Sequence, residues 1–480
     1  MVRKYSFFHE KGVQKYSFFY EKGVQKYSFY AILWMEAGIM IKRKLYNYLL
    51  EWKKNSNKEA LLIKGARQVG KTYIVREFGK NEYKSFIEIN FLKNGLYKSI
   101  FLSDNLSAEE IYKRISAYIP NASFIPGNTL LFLDEIQVCS NARTAIKFLV
   151  EDGRVDVISS GSLLGLSYLE DDDKNVTEPT SLPVGYESQI TMYSLDFEEF
   201  LWANGYNDEA ISYLKTFFDN NLEVPKELNF KYEELFREYM IIGGMPEVVQ
   251  TFINTKNFQA AAKIQEKILV DYQDDISKHA KGVEKIKVRQ CYDSIPKQLA
   301  KEYKKFQYSV VEKGKTSKKF GGSIKWLCDS SLVHKCSNVT EAYIPLLGYE
   351  MDDQFKLYIN DTGLLCHLYG NETKMMILNN SLKGNVKGGI YENVISESLV
   401  KKGYKLFYYK TSNSTLEIEF IIEKDGEVIP IEVKAGNDST PSLNNFINKY
   451  SPSISYKLIN GNVGLVDNKK TIPHYMILFI

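Results

Sequence analysis

The residue types with the plainest chemical purpose lie at Gly65-Ala66-Arg67-Gln68-Val69-Gly70-Lys71-Thr72, directly after the apolar run Leu61-Leu62-Ile63. Glycines let a backbone close tightly around an anion, and the loop N–H groups and the terminus of the next helix then face it. Lys71 is placed to reach the β- and γ-phosphates, and the Thr72 hydroxyl to coordinate Mg2+. A strand running into this pattern predicts a phosphate loop and a nucleoside triphosphatase. The second half of such a site is present in Leu130-Leu131-Phe132-Leu133, a strand that ends in Asp134-Glu135. Phosphoryl transfer needs charge neutralisation and an in-line nucleophile, so Asp134 is expected to hold the Mg2+ shell and Glu135 to orient or polarise the attacking water. A further strand, Val155 to Ser160, runs into Gly161-Ser162. A hydroxyl at its tip, Ser160 first and Ser162 second, can touch the γ-phosphate or the lytic water; a serine there serves equally well as a helix cap or turn residue.

A second group of chemistry-bearing residues lies near the end of the chain. Glu417 and Glu419 alternate with apolar residues and share one strand face, and Glu432 and Lys434 share a face of the next strand. Two acidic strands beside a lysine can hold a divalent cation against a phosphodiester, or form a salt-bridged, half-buried sheet. Upstream, Lys297, Lys301, Lys304, Lys305, Lys315, Lys318, Lys319 and Lys325 can neutralise DNA or RNA phosphates if they share a face, and are a solvated surface otherwise. Cys328, His334 and Cys336 lack a fourth zinc ligand at sensible spacing.

The elements that must position these residues follow from apolar patterning. From Lys42 to about Ser162 the order is helix, strand and phosphate loop, helix, strand (Ser85 to Asn90), helix, strand, helix, strand, which describes a parallel α/β core covered by helices. A polar excursion covers Asp171 to Asn175 and the proline-containing run to Gly185; Tyr193 to Leu201 then reads as a short strand entering a helix. Leu235 to Met240 reads as a helix stopped by Gly243-Gly244 and Pro246. Pro296 marks a helix start at Ile295 to Ala300, Ser323 to Leu327 a second helix, and Leu332-Val333-His334 and Phe355 to Tyr358 a strand pair, together a small winged-helix-like unit. The last region begins near Gly389 with a helix carrying Glu392 and Glu397, then strands at Lys405 to Tyr409, Leu416 to Ile422 and Val428 to Val433, the last two joined by a turn at Lys424-Asp425-Gly426.

The 480 residues and net charge of +3 name no partner class. Five scattered cysteines argue against a disulfide framework. No stretch reaches the about 18 apolar residues that cross a bilayer, and no secretory signal is recognisable, so a cytoplasmic protein without membrane contact is expected. The N-terminal tract repeats Lys4-Tyr5-Ser6-Phe7-Phe8 at Lys15 to Phe19 and, with one change, at Lys26 to Tyr30. That spacing suits a right-handed helical supercoil, but the Phe, Tyr and Ser crowding and the interrupting Gly12 and Gly23 oppose one. The tract is expected to stand outside the fold, with Met35 or Met40 as the functional start.

Trp52 through Thr72, Asp134-Glu135-Ile136-Gln137, Ser160-Gly161-Ser162, Leu195-Asp196-Phe197-Glu198-Glu199-Phe200, Gly243-Gly244-Met245-Pro246, Asn360-Asp361-Thr362-Gly363-Leu364 and Pro430-Ile431-Glu432-Val433-Lys434 together resemble a bacterial and archaeal family of AAA-type ATP-binding proteins with a C-terminal domain of unknown function. The resemblance implies ATP and Mg2+ as cofactors, a P-loop AAA-type ATPase core, a winged-helix-like middle and a C-terminal α/β domain similar to restriction-endonuclease-like nucleases. It maps a second metal site to Glu392, Glu419 and Glu432 with Lys434. Two positions depart from the family pattern. Glu419 stands where Asp is usual, and the extra methylene displaces the carboxylate in a site of fixed reach. Tyr186 stands where an arginine is usual, so the charge it would supply must come from Arg67, Arg143, Arg237 or a partner.

The expected organisation is a repetitive tract (1–39), an ATPase domain (40–230), a helical linker or lid (231–285), a winged-helix-like domain (286–388) and a nuclease-like domain (389–480). The expected function is slow Mg-dependent ATP hydrolysis driving a switch on nucleic acid or a protein partner. An ATP-gated nuclease and a nucleotide-dependent interaction module with an inert C-terminal domain are the alternatives, and the oligomeric state stays open.

Overall fold

The computed structural model describes residues 7–10, 13–22, 25–31, 41–102, 104–162, 183–279, 283–314, 316–411, 417–436 and 440–480. Residues 1–42 and 43–480 are two separate units. In the first, the repeat forms an antiparallel three-stranded meander, β1 (Phe7–Glu10), β2 (Val13–Lys22) and β3 (Gln25–Ala31). The aromatic content that opposes a helix suits strands, and each of these strands pairs with the next. Met35, Met40 and the excursion over Asp171 to Asn175 lie outside the described residues.

In the second unit, β4 (Ala60–Gly65), β5 (Ser85–Asn90), β6 (Thr129–Asp134), β7 (Asp156–Ser162) and β8 (Glu187–Thr191) form a wholly parallel sheet in the order β5-β6-β7-β4-β8. Leu61, Ile63 and Leu130 to Leu133 are completely buried, as strands covered on both faces must be. The strand expected at Tyr193 lies earlier, at Glu187–Thr191, because an edge strand needs no apolar alternation and this one is only half buried. Phe197–Ala203 is a helix whose Asp196 N-cap forms a reciprocal capping box with Glu199.

Helices Lys226–Ile242, Pro246–Thr255, Phe258–His279 and Val283–Leu299 follow. The helix start expected at Pro296 is instead the last turn of Val283–Leu299. Buried Ile295 and Leu299 hold the proline inside that helix, and Tyr369 Oη donates to the Pro296 carbonyl at 2.7 Å.

The expected wing strands are β9 (Val333–Val339) and β10 (Glu350–Ile359), preceded by helix Ser317–Asp329. They do not stand apart as a small unit. β9 pairs in parallel with β11 (Phe407–Lys410), and β12 (Glu417–Lys424), β13 (Glu427–Val433), β14 (Ser455–Ile459), β15 (Gly464–Val466) and β16 (Lys469–Pro473) complete one eight-stranded sheet, β10-β9-β11-β12-β13-β14-β16-β15. A boundary at 388/389 therefore cuts through a continuous sheet. Helix Gly384–Lys401 crosses it, with Gly389 so near the Leu299 carbonyl that a Cβ would stand 2.3 Å away. Among the described residues no helix is long and apolar enough to cross a membrane.

Candidate functional site: a phosphate loop facing a shared carboxylate

β7 lies between the phosphate-loop strand and the acidic strand, so the carboxyl ends of β4, β7 and β6 present their tips side by side. The register pairs Asn90 with Asp134, Leu133 with Ser159 and Ile63 with Ser160. Asp134, 1 % exposed, consequently gathers three donors: Thr72 Oγ1 at 3.1 Å, Asn90 Nδ2 at 2.7 Å and Ser160 Oγ. Thr72, Asp134 and Ser160 were legible in sequence; Asn90 carried no signal beyond its place at a strand end. The Ser162 backbone lies level with Gly65, and its side chain is outside the described residues.

The loop itself is held in a shape few residues tolerate. Gly65 has φ +159° and lies so close to the Met192 carbonyl that a Cβ would stand 2.2 Å from its oxygen, and Gly70 caps helix Lys71–Glu82 at φ +97°. Lys71 is buried, its ammonium donating to the Gly65 and Ala66 carbonyls at 2.9 and 2.8 Å. Burial lowers its pKa to about 8 against the pull of Glu135 and Asp134, and the Arg67 charge pushes the same way as burial. Glu135 has φ +58°, ψ +47°, an uncommon conformation for a non-glycine residue. The Gln137 amide holds its carboxylate at 2.6 Å.

Two sets of residues that sequence reasoning missed support the loop. Arg43 donates to the Val69 carbonyl (3.0 Å), the Tyr193 carbonyl (2.7 Å) and Glu199 (3.1 Å), tying the loop to the capped helix. In sequence it was only part of a basic helix start. From helix Phe258–His279, Asp275 pairs with Arg67 at 2.6 Å, Asp271 accepts from Gln68 Nε2 at 2.6 Å, and Tyr272 Oη approaches the Arg67 carbonyl at 3.5 Å. Of the other two arginine candidates, Arg143 is buried against Glu187, level with Ala60 at the far end of β4 from the loop, and buried Arg237 lies 3.9 Å from Glu233.

The motifs without evident chemistry converge on one buried polar network. Asp361 accepts from Gly244 N (2.8 Å) and Leu364 N (3.1 Å), Glu397 accepts from Thr362 N and Oγ1 (2.9 and 2.7 Å), and Tyr239 Oη and Lys401 Nζ donate to the Leu195 carbonyl (2.9 and 2.7 Å).

The C-terminal carboxylates are distributed among lysines. Glu392 pairs with Lys304 (2.9 Å) and Lys356 (3.3 Å) and accepts from Tyr358 Oη (2.9 Å); Lys356 also pairs with Glu417. Lys356 and Lys304 hold the Glu392 carboxyl down at about 2 despite burial. Lys434 lies 3.3 Å from Glu419 and 2.9 Å from Glu432. Burial lifts the Glu419 carboxyl to about 7 and also raises Glu432. The Glu392 and Glu432 charges both act on Glu419, each of the three carboxylates is paired with lysine, and no metal-holding group of three His, Cys, Asp or Glu occurs among the described residues. The lysine array is similarly divided, with Lys304 on Glu392 and Lys319 on Glu312, while Lys315 lies outside the described residues.

Residues 57–201 match a family described as an AAA domain, residues 233–375 the domain of unknown function DUF8612, and residues 387–475 the domain of unknown function DUF4143. No curated protein matches the chain. Among solved structures it is similar to the Walker-type ATPase PABY2304 of Pyrococcus abyssi, with 15 % identity over 69 % of this chain and 96 % of that one and a TM-score of 0.42. The phosphate loop, the acidic strand one strand away from it and the matched AAA domain support an AAA-type ATP-binding protein.

Proposed function

We propose that the protein binds ATP with Mg2+ at residues 65–72 and hydrolyses it slowly, driving a conformational change that acts on a nucleic acid or a partner protein. The observation that carries this reading is Asp134, a buried carboxylate shared by Thr72, Ser160 and Asn90 beside the phosphate-binding lysine. The Thr72 hydroxyl and the Asp134 carboxylate are hard oxygen donors of the kind Mg2+ takes. When bound, the ion neutralises β- and γ-phosphate charge. Loop N–H groups and Lys71 hold the phosphates, Glu135 orients the attacking water and draws its proton, and Ser160 steadies Asp134. A cytoplasmic place belongs to the same reading.

Nucleotide binding and turnover test the assignment together. Lys71→Ala should weaken ATP binding about 10- to 100-fold, as loss of a hydrogen bond to a charged group does. Glu135→Gln should keep the nucleotide and lower turnover by at least about 100-fold. Equal ATP binding by wild type and Lys71→Ala would overturn the reading. Assays with duplex and single-stranded DNA and RNA at two salt concentrations separate the targets: salt-sensitive stimulation indicates nucleic acid, and stimulation by none of them a protein partner. The nuclease alternative requires cutting that Glu432→Ala or Lys434→Ala abolishes, and the lysine-paired carboxylates favour the non-cleaving reading.

A further inference from the structure

Arg67 and Gln68 sit inside the phosphate loop, yet both side chains are turned to carboxylates one helical turn apart on helix Phe258–His279. Two acidic groups beside an anion site are electrostatically opposed to a triphosphate, and the loop's own cation neutralises one of them. The two partners differ in exposure: the Asp275 side chain is 4 % exposed, whereas that of Arg67 is 35 % exposed. Arg67 is also close enough to Lys71 for the two positive charges to repel each other. We propose that Arg67 exchanges Asp275 for the nucleotide's phosphates when ATP binds, so that helix Phe258–His279 reads the state of the site. The inference rests on the ATP-binding reading above, and it deepens it by naming the residue pair that regulates the site.

The physical drive is the charge left behind. A guanidinium drawn to a triphosphate takes one countercharge away from a buried carboxylate, an unfavourable change that is relieved by moving Asp275 toward water. The helix cannot move alone, because Tyr272, from the same turn, accepts from Asn360 Nδ2 at 3.4 Å. Asn360 leads directly into Asp361 and Thr362, which bind Gly244 and Glu397 of the buried network. A displaced helix therefore pulls on the joint between the ATP-binding sheet and helix Gly384–Lys401.

The test combines affinity for a non-hydrolysable ATP analogue and for ADP with hydrogen exchange of residues 258–279 in the full chain. Asp275→Asn, which removes the competing charge with little change of shape, should tighten the analogue about 10-fold, within the range typical of coupled sites. Arg67→Gln should weaken the analogue more than ADP, and Asp275→Asn should tighten the analogue less in that background than in the wild type. In the wild type the analogue should speed exchange in 258–279, and in Arg67→Gln it should not. Unaltered affinity in Asp275→Asn, or the same exchange response in wild type and Arg67→Gln, overturns the proposal while leaving ATP binding intact. Failure of the wild type to bind the analogue at all overturns both readings. If Asp275→Asn does not fold, the exchange comparison between wild type and Arg67→Gln decides.

Discussion

Asp134 and Asp361 show how one residue type serves two ends. Asp134 is surrounded by hydroxyl and amide donors at a strand tip, whereas Asp361 is fully enclosed at a joint between helices. Burial, with the Glu397 charge adding to it, lifts the Asp361 carboxyl to about 6. An acid whose folded pKa lies above its unfolded value of about 3.9 holds its proton longer in the folded state. The folded chain then binds more protons between about pH 4 and pH 6, and the Asp361 contribution to stability falls as pH rises through that window. The shift corresponds to about 3 kcal/mol at most. Asp361→Asn should therefore gain on the wild type between about pH 4 and pH 6, read as the difference between their denaturation midpoints; a pH-independent difference would show that Asp361 is ionised throughout. At the other aspartate, Ser160→Ala should reduce turnover about 10-fold or more with little loss of ATP binding, since a net hydrogen bond to a charged group is worth 1.5–3 kcal/mol; single-turnover and equilibrium binding measurements separate the two effects.

At the scale of elements, the phosphate loop is shaped by segments far from it in sequence. The Arg43 fork, the Met192 carbonyl and the acidic face of helix Phe258–His279 each approach it from a different element. The turn at Gly243-Gly244 is an equally tight junction: a Cβ on Gly244 would stand 2.0 Å from the Leu195 carbonyl oxygen and 2.8 Å from its nitrogen. Those atoms belong to backbone tied by the Leu195 N to Gly244 O bond of 2.7 Å, so they cannot turn aside as a side chain would. Gly244→Ala should destabilise the chain by about 1–3 kcal/mol, the usual penalty for overpacking, while the exposed Gly95→Ala, whose added Cβ meets nothing within 4 Å, should be close to neutral in the same urea titration.

At the scale of the whole molecule, the buried network joins all three matched regions, with Leu195 from the first, Tyr239, Gly244 and Asp361 from the second, and Glu397 and Lys401 from the third. The eight-stranded sheet spans the last two. Residues 389–480 expressed alone would expose the side of β11 that pairs with β9, an open edge that invites aggregation. That fragment should be insoluble or lack a cooperative thermal transition, and a soluble, cooperatively melting fragment would show that 389–480 folds by itself. Residues 1–42 form their own unit, so a chain begun at Met40 should keep the ATP affinity and melting point of the full chain, measured side by side.

Local sequence determined the parts whose physics is local. A strand buried on both faces is an unbroken apolar run, so Leu61 to Ile63 and Leu130 to Leu133 were legible, and the half-buried edge strand Ser85 to Asn90 was legible from its alternation. An anion loop needs glycines, lysine and a hydroxyl in fixed order, so Gly65 to Thr72 and the Asp134-Glu135 pair were legible too. Tertiary structure decided which charged groups meet. Nothing near Arg67 or Gln68 in sequence announces Asp275 or Asp271, whose Gln68 bond spans 203 positions. Nor could alternation along single strands reveal that Glu392 is neutralised by Lys356 from β10, because the strand face is fixed locally and the partner across the sheet is not. The proline at 296 misled for the same reason: it favours a helix start by its own geometry, and only the burial of Ile295 and Leu299 by distant segments made it the end of one.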